Sequence, residues 1–97
     1  MKLGRLIDID LELKGLRSAF NRTYKRIQDT KQEKQRLREV LDCAPSHAVC
    51  KLFEKECQRL ANLVTRIEYI TQRYNELLIE RGEILKERKQ YESFKLI

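Results

Sequence analysis

A single proline, Pro45, divides a chain that otherwise reads as helix along almost its whole length. The residue before a proline is pushed out of the α region, so Ala44 closes one helix or lies just past its end. Ser46 then stands where a helix N-cap belongs, with a hydroxyl able to accept from the amides of the next turn; Pro45 as the first helical residue, behind Ala44 as a poor cap, is the weaker arrangement. A connection of about three to five residues makes the two helices antiparallel neighbours. The stretch Leu41 to Glu54 therefore predicts an all-α antiparallel two-helix coiled-coil hairpin: helix 1 over about 5–43, a turn at 43–46 and helix 2 over about 47–92, one unit across residues 1–97. At 1.5 Å per residue such a hairpin is about 65 Å long, and an unbroken helix roughly twice that.

Apolar spacing supports this on both sides of the proline. Before it, Leu6, Ile9, Leu13, Leu16, Phe20, Ile27, Leu37 and Leu41 follow the 3,4 alternation of heptad positions a and d, with Thr23, Thr30 and Lys34 filling the gaps. After it, Val49, Phe53, Leu60, Leu63, Ile67, Ile70, Tyr74, Leu77 and Ile84 do the same. The second pattern carries an additional ridge at the adjoining e positions, Cys50, Cys57, Val64, Leu78 and Leu85. That makes its apolar face wider than one facing helix covers. Asp8, Asp10 and Glu12 near the start of helix 1, with Lys34, Arg36 and Arg38 near its end, give the charge order that complements a helix dipole.

Closing the turn at Pro45 sets Leu41 opposite Val49, so facing seam residues have numbers that add to about 90. Leu37 then meets Phe53, Ile27 meets Leu63, Phe20 meets Ile70 and Leu13 meets Leu77. The same rule sets Lys34, the one seam lysine, opposite Glu56, and the two are read as a register pair in which each charge offsets the other's desolvation. Ile9 against Arg81 is an imperfect match. Tyr91, Phe94, Leu96 and Ile97 overhang the first arm.

Charged residues make up 37% of the chain and aromatics 7%, with no tryptophan, a balance that belongs to long helices rather than a mixed α/β domain. The net charge of +6 comes from both arms, 11 basic and 7 acidic residues before Pro45 and 10 and 8 after it, so it is no nucleic-acid-binding tail. Five basic residues without an acidic one, Lys14, Arg17, Arg22, Lys25 and Arg26, form the densest charge feature. They occupy positions b, e, c, f and g, and a solvated flank is favoured over a phosphate-binding stripe on that distribution. Three cysteines without a CxxC pair point to a reducing, cytoplasmic compartment rather than a disulfide framework, and cytoskeletal association is compatible with it. No apolar run reaches the length of a spanning helix, and the first ten residues lack the apolar core of a signal peptide.

Cys43, His47, Cys50 and Cys57 are the residues that could hold zinc. Cys50 and Cys57 lie seven residues apart on one helix, hence about 10 Å along its axis, too far to share an ion. Only Cys43, His47 and Cys50 could converge, so no metal or other cofactor is expected. A cysteine nucleophile would need a base, an oxyanion site and a pocket, which two helices do not supply; the chain is read as a non-enzyme. The tyrosines Tyr24, Tyr69, Tyr74 and Tyr91 are dispersed, which makes them a poor stacking platform.

The spacing Cys57, Leu60, Ile67, Tyr74 resembles the end of the helical domain shared by occludin and the ELL elongation factors, over less than a fifth of the chain. The first arm and the stretch past Asn75 depart from that pattern, and no family is assigned from it.

The function expected from these residues is protein–protein association, as a coiled-coil scaffold domain of a larger cytoplasmic protein. The expected contact surface is the ridge of Cys57, Val64, Leu78 and Leu85, and the expected partner is a second copy, giving a four-helix homodimer, or a heterotypic helix. The competing readings are a basic helical module that binds nucleic acid or acidic membrane through Lys14 to Arg26, and a hairpin that docks a small GTPase. The first has only its charge in its favour, and the second only its shape.

Overall fold

A computed structural model describes residues 3–95, with side chains through residue 90. Two helices, α1 (Leu3–Cys43) and α2 (His47–Lys95), pack against each other as a hairpin, and the described residues contain no strand. The turn is short. Ala44 N still donates to Val40 O at 2.8 Å, closing α1, and Ser46 O accepts from Cys50 N at 2.9 Å, opening α2. Ser46 thus holds the N-cap backbone position, where the carbonyl already takes the first helical bond.

α1 starts two residues before the expected boundary and α2 runs three residues beyond it. The molecule measures 78 × 16 × 14 Å, longer than the 65 Å expected. The reason is the length of α2, whose 49 residues at about 1.5 Å each span roughly 73 Å on their own. Of the overhanging residues, Leu96 and Ile97 lie outside the described residues, as do the side chains of Tyr91 and Phe94.

The core is the a/d seam. Leu6, Ile9, Leu13, Leu77 and Ile84 form a buried cluster at the open end, with Leu16 and Tyr74 packed against it. Thr23, Ile27, Thr30, Leu37, Leu63 and Ile70 continue the buried line toward the turn. Thr23, only 3% exposed, keeps its hydroxyl satisfied by donating to Ala19 O at 2.8 Å within its own helix. That arrangement tolerates a polar seam residue without needing it. Thr23→Val should therefore leave the fold intact and change stability by less than about 1 kcal/mol, measured by thermal melting of the helical circular dichroism signal.

The mismatch of Ile9 with Arg81 is resolved by the length of the arginine. Ile9 is fully buried, while the Arg81 guanidinium reaches past the seam to Asp10 Oδ1 at 2.8 Å. The stem covers apolar surface and the head stays in water.

The dipole reading of α1 is corrected by its boundaries. Starting at Leu3, the helix has no acidic residue in its first turn and no basic one in its last. The dipole's influence fades within a turn of each end, so Asp8 and Arg38 lie beyond its reach. Gly15 and Gly82 stand within helices at ordinary φ, and a Cβ at either would meet nothing within 4 Å. Nothing in the hairpin requires them, and each costs about 1 kcal/mol relative to alanine.

Candidate functional site

The a/d seam leaves two flanks, one lined by the g positions of both helices and one by the e positions, and their chemistry differs. On the g flank near the open end, Arg5 forks onto Glu80, with Nε to Oε2 at 2.8 Å and Nη2 to Oε1 at 3.1 Å. One heptad further, Arg73 forks onto Glu12 at 2.9 and 3.3 Å. The Glu12 hydrogen bond holds the Arg73 pKa above its ordinary value. Both are planar two-point arginine–carboxylate pairs, which fix orientation as well as attract. Asp10 and Glu12, read from sequence as dipole partners, act instead as ties between the helices.

Because these pairs are about a third or more exposed, each contributes modestly. In a double-mutant cycle, Glu12→Arg should destabilise the hairpin, and adding Arg73→Glu should recover about 0.5–1 kcal/mol at low salt. The recovery should shrink at high salt.

The e flank has polar ties only near the open end: the Asp10–Arg81 pair, and Arg17 Nη2, which donates to Tyr74 Oη at 3.0 Å. That bond raises the Arg17 pKa and sets the Tyr74 hydroxyl at the edge of the core. Among the described residues, no hydrogen bond or ion pair crosses the hairpin between Ser18 and the turn. There the e flank opens into an apolar groove lined by Phe20, Tyr24, Ile27, Val64, Ile67 and Ile79.

Phe20 departs from its expected core role. It sits at an a position but is 37% exposed, and its ring stacks on Tyr24 with centroids 6.2 Å apart. The phenyl group rises from the seam into the groove. Sequence spacing could not show this, because an a-position phenylalanine reads as core whichever way its ring turns.

The expected ridge lies along this same flank. Val64, Leu78 and Leu85 are exposed to 38%, 44% and 37%, and Cys57 is half-buried. Tyr69 and Ile79, outside the seam, are largely exposed.

Lys34 and Glu56 are both half-buried in the seam, but each has a different neighbour from the one expected. The Lys34 ammonium lies over the Phe53 ring, 5.7 Å from its centroid, and the Glu56 carboxylate meets Arg59 at 3.3 Å within α2. No ion pair joins Lys34 to Glu56 among the described residues. An ammonium on an aromatic face and a carboxylate turned toward an exposed guanidinium each keep contact with water, which a direct pair inside the seam would lose.

The five clustered basic residues of α1 are all exposed, and the fold separates them. Lys14 and Arg17 fall on the e side, Arg22 and Arg26 on the g side, and Lys25 on the outer back of the helix. Cys43 and Cys50 are exposed and Cys57 is half-buried, all as free thiols. Among the described residues, no three His, Cys, Asp or Glu side chains are placed to share a metal ion, and no helix is long and apolar enough to cross a membrane.

The geometry that stands out is a hairpin tied across both flanks near the open end, by two-point arginine–carboxylate pairs on the g flank, with an apolar groove on the e flank nearer the turn. Comparison of the chain with family models, with curated proteins and with solved structures finds no match.

Proposed function

We propose that this hairpin is a non-catalytic association module, and that the e flank of α2 packs against a second copy to give a four-helix assembly. The observation that carries the reading is the row of exposed apolar side chains along the e flank, longer than the g flank's Val40 and Leu52. Phe20, Tyr24, Val64, Leu78 and Leu85 all lie exposed on one side of a rod only about 16 Å across. Scattered exposed apolar residues need no partner, but a line of them along one flank marks a contact surface.

A cytoplasmic scaffold role fits three free cysteines and a helical surface rich in both charge signs. A heterotypic helix could occupy the same flank, and the measured mass separates the two partners. Multi-angle light scattering should give about twice the 11.7 kDa chain mass at micromolar concentration. A monomer mass at high concentration, with helicity intact, overturns self-association.

A further inference from the structure

We propose that the g flank, opposite the apolar one, carries a binding site for clustered phosphate groups, built from Arg22 and Arg26 of α1 with Lys55, Arg59 and Arg66 of α2. The argument starts from the ion pairs. Arg5–Glu80 and Glu12–Arg73 join g positions whose residue numbers add to 85. Carried toward the turn, that register sets Ala19 opposite Arg66 and then Arg26 opposite Arg59. The two pairs nearer the open end join opposite charges, and this position brings two like charges together.

Few of the cluster's charges are paired. Among the described residues, Arg22, Arg26, Lys55 and Arg66 form no ion pair, and Arg59 has only the contact to Glu56. Asp29, one turn beyond Arg26 on α1, pairs with neither Arg26 nor Arg22. Lys55, Arg59 and Arg66 line one shallow groove on α2 with Gln58, Asn62 and Leu63, and Arg22 and Arg26 join it only through the register across the hairpin. Four of the five basic groups are guanidinium forks, the shape that grips phosphate oxygens two at a time.

The extent of the patch selects the ligand. From Lys55 to Arg66 it covers about 16 Å along α2. On the open-end side it stops at the Glu12–Arg73 pair, and on the turn side at Asp29 and Glu33, the latter with its carboxylate bound by Arg36 and held below its usual pKa. A long nucleic-acid backbone running down the hairpin would meet carboxylates at both limits. A compact group bearing several phosphates, on a lipid headgroup or free in solution, fits between them.

The test is a titration of the full chain with tripolyphosphate, followed by amide chemical shifts. Saturable shifts centred on residues 22–26 and 55–66 are expected. The Arg26→Gln/Arg59→Gln variant should bind at least about tenfold more weakly, whereas Lys14→Gln/Lys25→Gln, with the same change in net charge, should lose less than about twofold. Vesicles containing a polyphosphorylated inositol lipid, compared with phosphatidylserine vesicles of equal surface charge, identify the source. Preferential binding to the former, displaced by tripolyphosphate, assigns a headgroup, and binding of the soluble ion alone assigns a free polyphosphate.

Equal weakening by both double variants, or no saturable shift, overturns the site. So does tighter binding of a duplex whose footprint extends over Lys14 and Lys25. A separate readout checks the register behind it: Arg26→Glu should raise the thermal midpoint by a few degrees, about the effect of replacing a like-charge contact by an ion pair, while abolishing tripolyphosphate binding. These outcomes are independent of whether the apolar flank self-associates.

Discussion

Leu77→Ala should remove about 2–5 kcal/mol of stability, a loss that only truncation of Ile9 should match. Leu77 and Ile9 are the two most enclosed side chains, at 1% and 0% exposure, and both belong to the cluster that locks the open end. Truncating Leu77 removes its methyl groups from that cluster and leaves a void that two rigid helices cannot easily close. Domains of this size hold a total of about 5–15 kcal/mol, so the variant should lose much of its margin. Chemical denaturation followed by circular dichroism reads the change directly. Ile79→Ala, two residues along but 64% exposed, should fall within about 0.5 kcal/mol of the parent. Similar losses at 77 and 79 would show that α1 does not cover α2 in this register.

Leu78→Lys combined with Leu85→Lys should convert the proposed four-helix assembly to a monomer without unfolding the hairpin. Both side chains lie on the e flank, 44% and 37% exposed, so each is already partly covered by its own hairpin and still offers apolar area to a partner. Completing their burial contributes about 1 kcal/mol per side chain, and a symmetric contact counts each twice. Substituting lysine removes that gain and sets ammonium groups where the partner's apolar surface would desolvate them, a far larger penalty. Sedimentation or light scattering should show the mass fall to one chain, with the melting curve then independent of protein concentration. Retained dimer mass in the double variant would move the contact away from α2's e flank.

Much of this architecture can be read from the sequence, for identifiable reasons. The 3,4 spacing from Leu6 to Leu41 and from Val49 to Ile84 encodes two helices with one apolar seam each, and Pro45 allows only a short connection between them. Burial follows that spacing even where the residue is polar, as at Thr23 and Thr30. Side-chain direction is harder to read. The turning of Phe20 toward Tyr24, the reach of Arg81 to Asp10 and the seating of Lys34 on Phe53 depend on rotamers that heptad letters do not specify. The basic residues fall on the legible side. Five of them adjoin in α1, yet the fold separates Lys14 and Arg17 from Arg22 and Arg26 and sets the latter pair on the same flank as Arg59 and Arg66. That grouping is implicit in the heptad letters and the turn register taken together, and the ion pairs Arg5–Glu80 and Glu12–Arg73 join g positions in that same register.

Small-angle X-ray scattering in solution tests the reversal of the chain at Pro45 most directly, since every contact between α1 and α2 depends on it. Folded back on itself, the chain should give a maximum dimension near 78 Å, and 22.0 Å for the radius of gyration of a single copy. A continuous helix of the same residues would extend to about 140 Å at 1.5 Å per residue, and a maximum dimension near that value would contradict the hairpin and both of its flanks.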